Sequence, residues 1–148
     1  MEKKIMVGAF AKCKAAGEKI VMVTAYDAPF AALAASAGID VMLVGDSVAT
    51  TVMGCDTTLP VTMEELIHHV KAVRRGAPHA FIVFDLPFMS YQVSEEEAMR
   101  NAGRALKEAG ADAVKFEGGA EYAPLVKKMV LAGIPVMCHL GLLPQRVH

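Results

Sequence analysis

No charge of either sign predominates in this sequence: Lys and Arg number 15 against 16 Asp and Glu, for a formal net charge of −1. Without a basic block there is no positive stripe to displace counterions from a phosphate backbone, which argues against nucleic acid as a partner. Long apolar runs are also missing. Asp40 interrupts the Ala-rich stretch that begins at Phe30, and Asp46 closes the next, so nothing reaches the ~18 residues that cross a bilayer. The start, MEKKIMVGAFAKCK, has early lysines and a small-residue stretch like a secretory leader, but Lys12 and Lys14 cut its apolar part short. It reads as an amphipathic helical segment. Cysteine is scarce: Cys13, Cys55 and Cys138 are odd in number and far apart, fitting neither a disulfide framework nor a CxxC site. A reducing cytoplasm is the expected home. No Gly/Ser- or Pro-rich linker divides the chain, since Gly118-Gly119 is too short to be one.

What is present is apolar content: 54% of 148 residues. A chain of this size buries roughly 68–70% of its unfolded surface and can build a core without staples. Short apolar runs alternate with segments of helical period, the pattern of repeated strand–helix units around a parallel sheet. Strands are expected at 20–24, 41–44, 80–84, 113–116 and 134–138, nearly all apolar, as in a sheet covered by helices. Four helices are expected between them. Asp27 with Pro29 starts the first, while Thr62 with Glu65 and Ser94 with Glu97 have capping-box spacing. Met63, Leu66, Ile67, Val70 and Val73 share one face, as do Leu125, Val126, Met129 and Val130, and both stripes read as core. Gly38, Gly76, Gly110 and Gly133 stand where helices hand over to strands, so SAGIDVMLVGD, RRGAPHAFIVFD, EAGADAVKFEG and LAGIPVMCHLG form a weak internal repeat. A single domain is expected, with a helical segment over 1–18 and four βα units plus a fifth strand over 19–148.

Polar residues follow four successive strands: Asp46, Asp85, Glu117 and His139. In parallel α/β folds such positions share the C-terminal face, where ligands bind. Three carboxylates there repel one another unless a cation joins them, and hard oxygen donors select Mg²⁺ over zinc. Each one singly could instead cap a helix or lie in water. Lys115 is two residues before Glu117, so strand alternation sends both to one side and Val114 and Phe116 to the other. A lysine in a sheet needs an anion. That anion is either a substrate carboxylate or developing enolate, or else Asp85 or Glu117. Ser47 could bond a substrate oxygen or cap a helix, and His139 could orient a ligand or be merely hydrogen-bonded. His68 and His69 read as surface residues, and Cys55 and Cys138 lack a basic neighbour, so none of these is assigned chemistry. Tyr26, Asp27 and the segment 88–91 could wall a pocket.

Several segments, in order, carry a resemblance: TAYDAPFA at Thr24, MLVGDS at Met42, TTLPVT at Thr57, RRGAP at Arg74, DLPFMSY at Asp85, KFEGG at Lys115 and HLGLLPQ at His139. The chain closely resembles the ketopantoate hydroxymethyltransferase family from about Lys19 onward. The resemblance implies a (β/α)8 TIM barrel that transfers a one-carbon unit from 5,10-methylenetetrahydrofolate to 3-methyl-2-oxobutanoate, giving 2-dehydropantoate on the route to pantothenate and coenzyme A. It implies Mg²⁺ held directly by Asp46 and Asp85, with Glu117 reached through water. Asp46, Ser47, Asp85 and Lys115 are the implied contacts to the 2-oxo acid, and large homo-oligomers of the decamer type are the implied assembly.

A full barrel needs about 250 residues and eight strands, whereas five strands are expected here, so the resemblance is to the N-terminal part. The family's catalytic base, a glutamate, lies in the part not matched, and no residue of this chain inherits the role. Ala49-Thr50 and Cys138 depart from the family pattern in ways that bear on loop shape. Two other readings stay open. One is a related Mg²⁺ barrel of the phosphoenolpyruvate mutase/isocitrate lyase type, which uses the same enolate chemistry without folate. The other is a non-catalytic half-barrel that keeps the metal-binding rim and lacks the base.

Overall fold

The computed structural model describes residues 5–147. Helix α1 (Val7–Ala16) precedes β1 (Met22–Thr24), α2 (Ala28–Ser36), β2 (Val41–Val44), α3 (Met63–Gly76) and β3 (Phe81–Asp85). Then follow α4 (Glu95–Lys107), β4 (Ala113–Glu117), α5 (Ala123–Leu131) and β5 (Val136–His139). The five strands are all parallel and lie in the order β1-β2-β3-β4-β5. Every crossover therefore steps one place in the same direction. That is the winding of a barrel wall, since a doubly wound sheet would reverse its order at a switch point.

Register divides the strands into two faces. Met42 with Ile82, and Val44 with Phe84 and Val114, line up toward the helices, and these residues join α3, α4 and α5 in the larger core. α3 contributes Met63, Leu66, Ile67, Val70 and Val73, the stripe expected from its sequence. On the other face Val41, Phe81, Val83 and Ala113 form a second, smaller cluster with Ile5, Phe10, Leu43 and Met137 against it. α1 reaches this inner face through Phe10, whose ring meets Phe81 edge-on at 4.9 Å. Asp85, Lys115, Glu117 and His139 follow on the same face one or two steps further along their strands.

The local signals explain where the helices begin. Asp27 accepts from the Phe30 amide at 2.8 Å to cap α2, and Thr62 with Glu65 forms the full reciprocal box at α3. At α4 the Ser94 hydroxyl accepts from the Glu97 amide. A π-helical turn at Ala49–Met53, not anticipated from the sequence, follows β2. Strands β3, β4 and β5 each run one residue further than expected, to Asp85, Glu117 and His139. The polar residues are thus part of the ladder, which continues through Leu86 N to Lys115 O and Gly118 N to His139 O.

Gly38, Gly110 and Gly133 have positive φ at the helix-to-strand turns. Gly76 serves differently: it ends α3 with no left-handed backbone, and a Cβ there would lie 2.1 Å from the Ala28 carbonyl oxygen. Close approach of α2 and α3 requires it. Next to it, Arg74 reaches the Gly110 and Ala80 carbonyls and Asp112 (2.5 Å), which in turn accepts from Ile82 N. The RRGAP motif thereby locks the lower end of β3 to that of β4. β1 and β5 pair on one side only, and Leu131 and Leu142 are 78% and 74% exposed near β5. Among the described residues no helix is long and apolar enough to cross a membrane.

Gly76→Ala should cost about 1–3 kcal/mol, the usual penalty of overpacking, because the obstructing atoms are backbone. Urea unfolding measures it, and a midpoint equal to that of the wild type would contradict the close-approach account.

Candidate functional site

Register, more than any single residue, builds the rim. β3 and β4 align Asp85 with Lys115, and β4 and β5 align Glu117 with His139. Partners in adjacent strands lie about 5 Å apart, close enough for long side chains to meet. The Lys115 ammonium bonds Asp85 Oδ2, and both side chains are largely shielded, at 12% and 8% exposure. Of the two carboxylates of the chain that the sequence offered Lys115, the one it meets is Asp85. His139 Nδ1 lies 3.7 Å from Glu117 Oε1, beyond hydrogen-bond distance, and is buried without a hydrogen-bond partner.

Asp46 sits two residues past β2 and is buried, as are Asp85 and Glu117. Gly45 makes room for this approach: a Cβ there would stand 3.0 Å from that of Asp85. Asp85 has one oxygen on Lys115, while its Oδ1 is buried with no hydrogen-bond partner. Burial pushes the Asp85 carboxyl up from 3.8 to about 7, the nearby charges of Asp46 and Glu117 push the same way, and Lys115 opposes them. The folded chain therefore holds a proton on Asp85 that the unfolded chain releases near pH 4. This carboxyl's contribution to stability is full below about pH 4 and is lost as pH rises through about 7. Once Asp85 ionises, above about pH 7, three buried carboxylates face one ammonium among the described residues, which leaves the rim short of positive charge.

Two neutral groups complete the arrangement. Gln145, buried in a short turn at Pro144–Arg146, donates from Nε2 to Asp46 Oδ2 (2.9 Å) and to the Leu86 carbonyl (3.1 Å). Its backbone amide donates to Glu117 Oε2 at 3.1 Å. The buried Tyr91 hydroxyl donates to Gln145 Oε1 (2.8 Å) and accepts from Glu117 N (3.3 Å). Burial raises the Tyr91 phenol well above its ordinary value, so it stays protonated. Reading the sequence missed Gln145, although it closes the HLGLLPQ segment, because nothing local indicates a partner 99 residues away. Pro144 before it, in the turn beyond a strand end, was the available signal.

Ser47, half-buried beside Asp46, shares a 2.5 Å hydrogen bond with the Tyr26 hydroxyl. Tyr26 in turn accepts, through its backbone carbonyl, from His69 Nδ1 at 2.7 Å. His69 is thus a half-buried support of the Tyr26 segment, in place of the surface residue expected. Asp27 is exposed and its carboxylate is used to cap α2. Phe88 and Met89 stand exposed in the loop after β3, where Met89 takes a left-handed φ of 65°. Cys55 is half-buried and Cys138 exposed, both unpaired as thiols.

Among the described residues, no three His, Cys, Asp or Glu side chains are gathered closely enough to hold a metal ion unaided. Asp46 and Glu117 are each engaged by Gln145, and Asp85 by Lys115. A divalent cation at this rim would meet oxygen donors from Asp46 and Asp85 and would need its remaining ligands from water or substrate.

Solved structures share this architecture at low identity. A 2,3-dimethylmalate lyase of the phosphoenolpyruvate mutase/isocitrate lyase superfamily matches with a TM-score of 0.63 at 15% identity, over 88% of this chain and 51% of that one. A phosphonopyruvate hydrolase, solved with oxalate and Mg²⁺, matches with a TM-score of 0.55 at 12% identity, over 89% and 62%. These likenesses show the fold, a parallel α/β barrel wall. In sequence, the chain is similar to a 3-methyl-2-oxobutanoate hydroxymethyltransferase of Carboxydothermus hydrogenoformans: 57% identical over 145 residues, which cover 98% of this chain and 52% of that protein. The chain spans about half the length of the curated relatives it matches. The model of one family matches residues 4–148, and with that the chain belongs to the ketopantoate hydroxymethyltransferase family.

Proposed function

We propose that this chain forms the metal- and 2-oxo-acid-binding half of an enzyme that transfers a one-carbon unit from 5,10-methylenetetrahydrofolate, with water, to 3-methyl-2-oxobutanoate, giving 2-dehydropantoate. Family membership supports the reaction. The observation that carries it to this rim is the buried, unpartnered Oδ1 of Asp85, next to the charges of Asp46 and Glu117. An all-oxygen donor set suits Mg²⁺, which keeps several waters and takes only one or two protein carboxylates besides substrate oxygens. Three converging ligands are therefore unnecessary. Asp46 and Asp85 are the direct ligands in this reading, and Glu117, held by the Gln145 backbone amide, acts through water. When bound, the cation polarises the 2-oxo group as a Lewis acid and makes the C3 hydrogen more acidic.

The chain's own groups then divide the work. Lys115 holds Asp85 in the free site and offers the same ammonium to the 2-oxo acid, sharing the negative charge that develops on its oxygen when C3 loses a proton. Ser47, oriented by Tyr26, donates its hydroxyl to an oxygen of the acid. His139, in register with Glu117 on β5, remains a secondary candidate for orienting a ligand at the rim. Low exposure of the rim strengthens each of these interactions, because little water competes for the donors. The glutamate that accepts the C3 proton comes from outside residues 1–148, as does much of the folate site. In the same reading the enzyme is cytoplasmic and homo-oligomeric.

Calorimetry should detect 3-methyl-2-oxobutanoate binding to this chain only when Mg²⁺ is present, with Asp85→Ala abolishing it. Binding that is indifferent to Mg²⁺ would contradict the assignment. Lys115→Met should keep Mg²⁺ binding yet weaken the 2-oxo acid by about 10–100-fold, the worth of a charge-assisted hydrogen bond. Equal loss of both ligands would mean that Lys115 merely supports the fold.

The phosphoenolpyruvate mutase type of enzyme shares the fold, so folate is the discriminator. With the rest of the barrel present and Mg²⁺ saturating, tetrahydrofolate should accelerate C3 proton exchange of the substrate, followed by NMR in D₂O. No acceleration would favour the folate-independent class. C3 exchange by residues 1–148 alone should stay at background, and measurable turnover by them would place the base within this chain.

A further inference from the structure

Gln145 is the most heavily bonded side chain of the rim. Its two amide hydrogens go to Asp46 Oδ2 and the Leu86 carbonyl, and its Oε1 accepts from the Tyr91 hydroxyl and, at 3.4 Å, from Gln92 Nε2. With its backbone amide on Glu117 Oε2, this one residue ties together the ends of β2, β3 and β4 from the turn beyond β5. The amide's donors are all used and it is 2% exposed.

The chemical choice of glutamine matters. An arginine or lysine in this place would bind the same carboxylates more strongly but would neutralise them. A neutral amide orients a carboxylate and leaves its charge for something else. Gln145 occupies one oxygen of Asp46 and one of Glu117, which leaves Asp46 Oδ1 and Glu117 Oε1 for other partners.

We infer that Gln145 is a positioning residue for the divalent cation: it selects which oxygens of Asp46 and Glu117 face the ion, without competing with the ion for their charge. This rests on the magnesium reading of the rim. Partners that orient metal ligands in this way typically change affinity by about 10–100-fold when removed.

The test is titration of MgCl₂ alone, without substrate, into the folded chain by calorimetry, with thermal unfolding in the absence of metal measured alongside. Gln145→Met keeps the side-chain length and removes every polar bond. It should weaken Mg²⁺ by about 10–100-fold at a temperature where circular dichroism shows it folded. Tyr91→Phe removes the hydroxyl that holds Gln145 Oε1 and accepts from Glu117 N, leaves the bonds of Gln145 to Asp46 and Leu86 in place, and should weaken Mg²⁺ by less, in the same direction. It decides the matter if Gln145→Met does not fold. Wild-type binding with both folded variants equal to it, even at a lowered melting temperature, would overturn the positioning role and leave a structural one. Absence of Mg²⁺ binding to the wild type would overturn the magnesium reading itself, and this role with it.

Discussion

The ion pair between Lys115 and Asp85 depends on β3 and β4 pairing in one register, and the rest of the rim is arranged around that pair. Because side chains alternate at every residue of a strand, a slip of β4 by one position would turn Lys115 and Glu117 away from Asp85 and toward the helix-side core around Phe84. Burying them there would cost several kcal/mol per charge. The apolar layer beneath holds the register in place: Val83 lies beside Leu43 and Ala113, with Phe81 and Phe10 below. Arg74 and Asp112 fasten the same two strands at their lower end. Structure at the bottom of the wall thus positions chemistry at the top.

Charge at the rim is out of balance in the chain as it stands. Asp46, Asp85 and Glu117 are buried together, and the single ammonium among them reaches only Asp85. The hydrogen bonds to Asp46 and Glu117 come from neutral groups, the side-chain and backbone amides of Gln145, which hold geometry but carry no compensating charge. A fold optimised for stability alone would not keep such an arrangement, since repelling carboxylates in a shielded place weaken the folded state. Sites that break local rules in this manner are where function is expected. A bound cation, as proposed, would account for both the surplus charge and the unsatisfied Asp85 Oδ1.

Much of this could be read from the sequence because it is written in short periods. The alternation KFE exposed Lys115 and Glu117 to one face, and polar residues after apolar runs marked Asp46, Asp85 and His139. Thr62 with Glu65 announced a helix start within four residues. What could not be read depends on distance in the chain. Gln145 meets Asp46 across 99 residues, and His69 supports Tyr26 across 43. Gly76 looked like an ordinary helix stop, whereas its need arises from the Ala28 backbone of another helix. Which carboxylate Lys115 would choose was likewise a matter of register, which no single strand specifies.

The central claim is that the cation deficit of this rim is filled by a divalent ion held between Asp46 and Asp85. Mn²⁺ can stand in for Mg²⁺ and is located directly by anomalous X-ray scattering from crystals grown with it. The account predicts one anomalous peak at the strand ends, with oxygen atoms of both Asp46 and Asp85 at about 2.0–2.2 Å, typical of octahedral oxygen coordination. A rim that stays free of Mn²⁺ at saturating concentration, with Asp85 held by Lys115 alone, would contradict it.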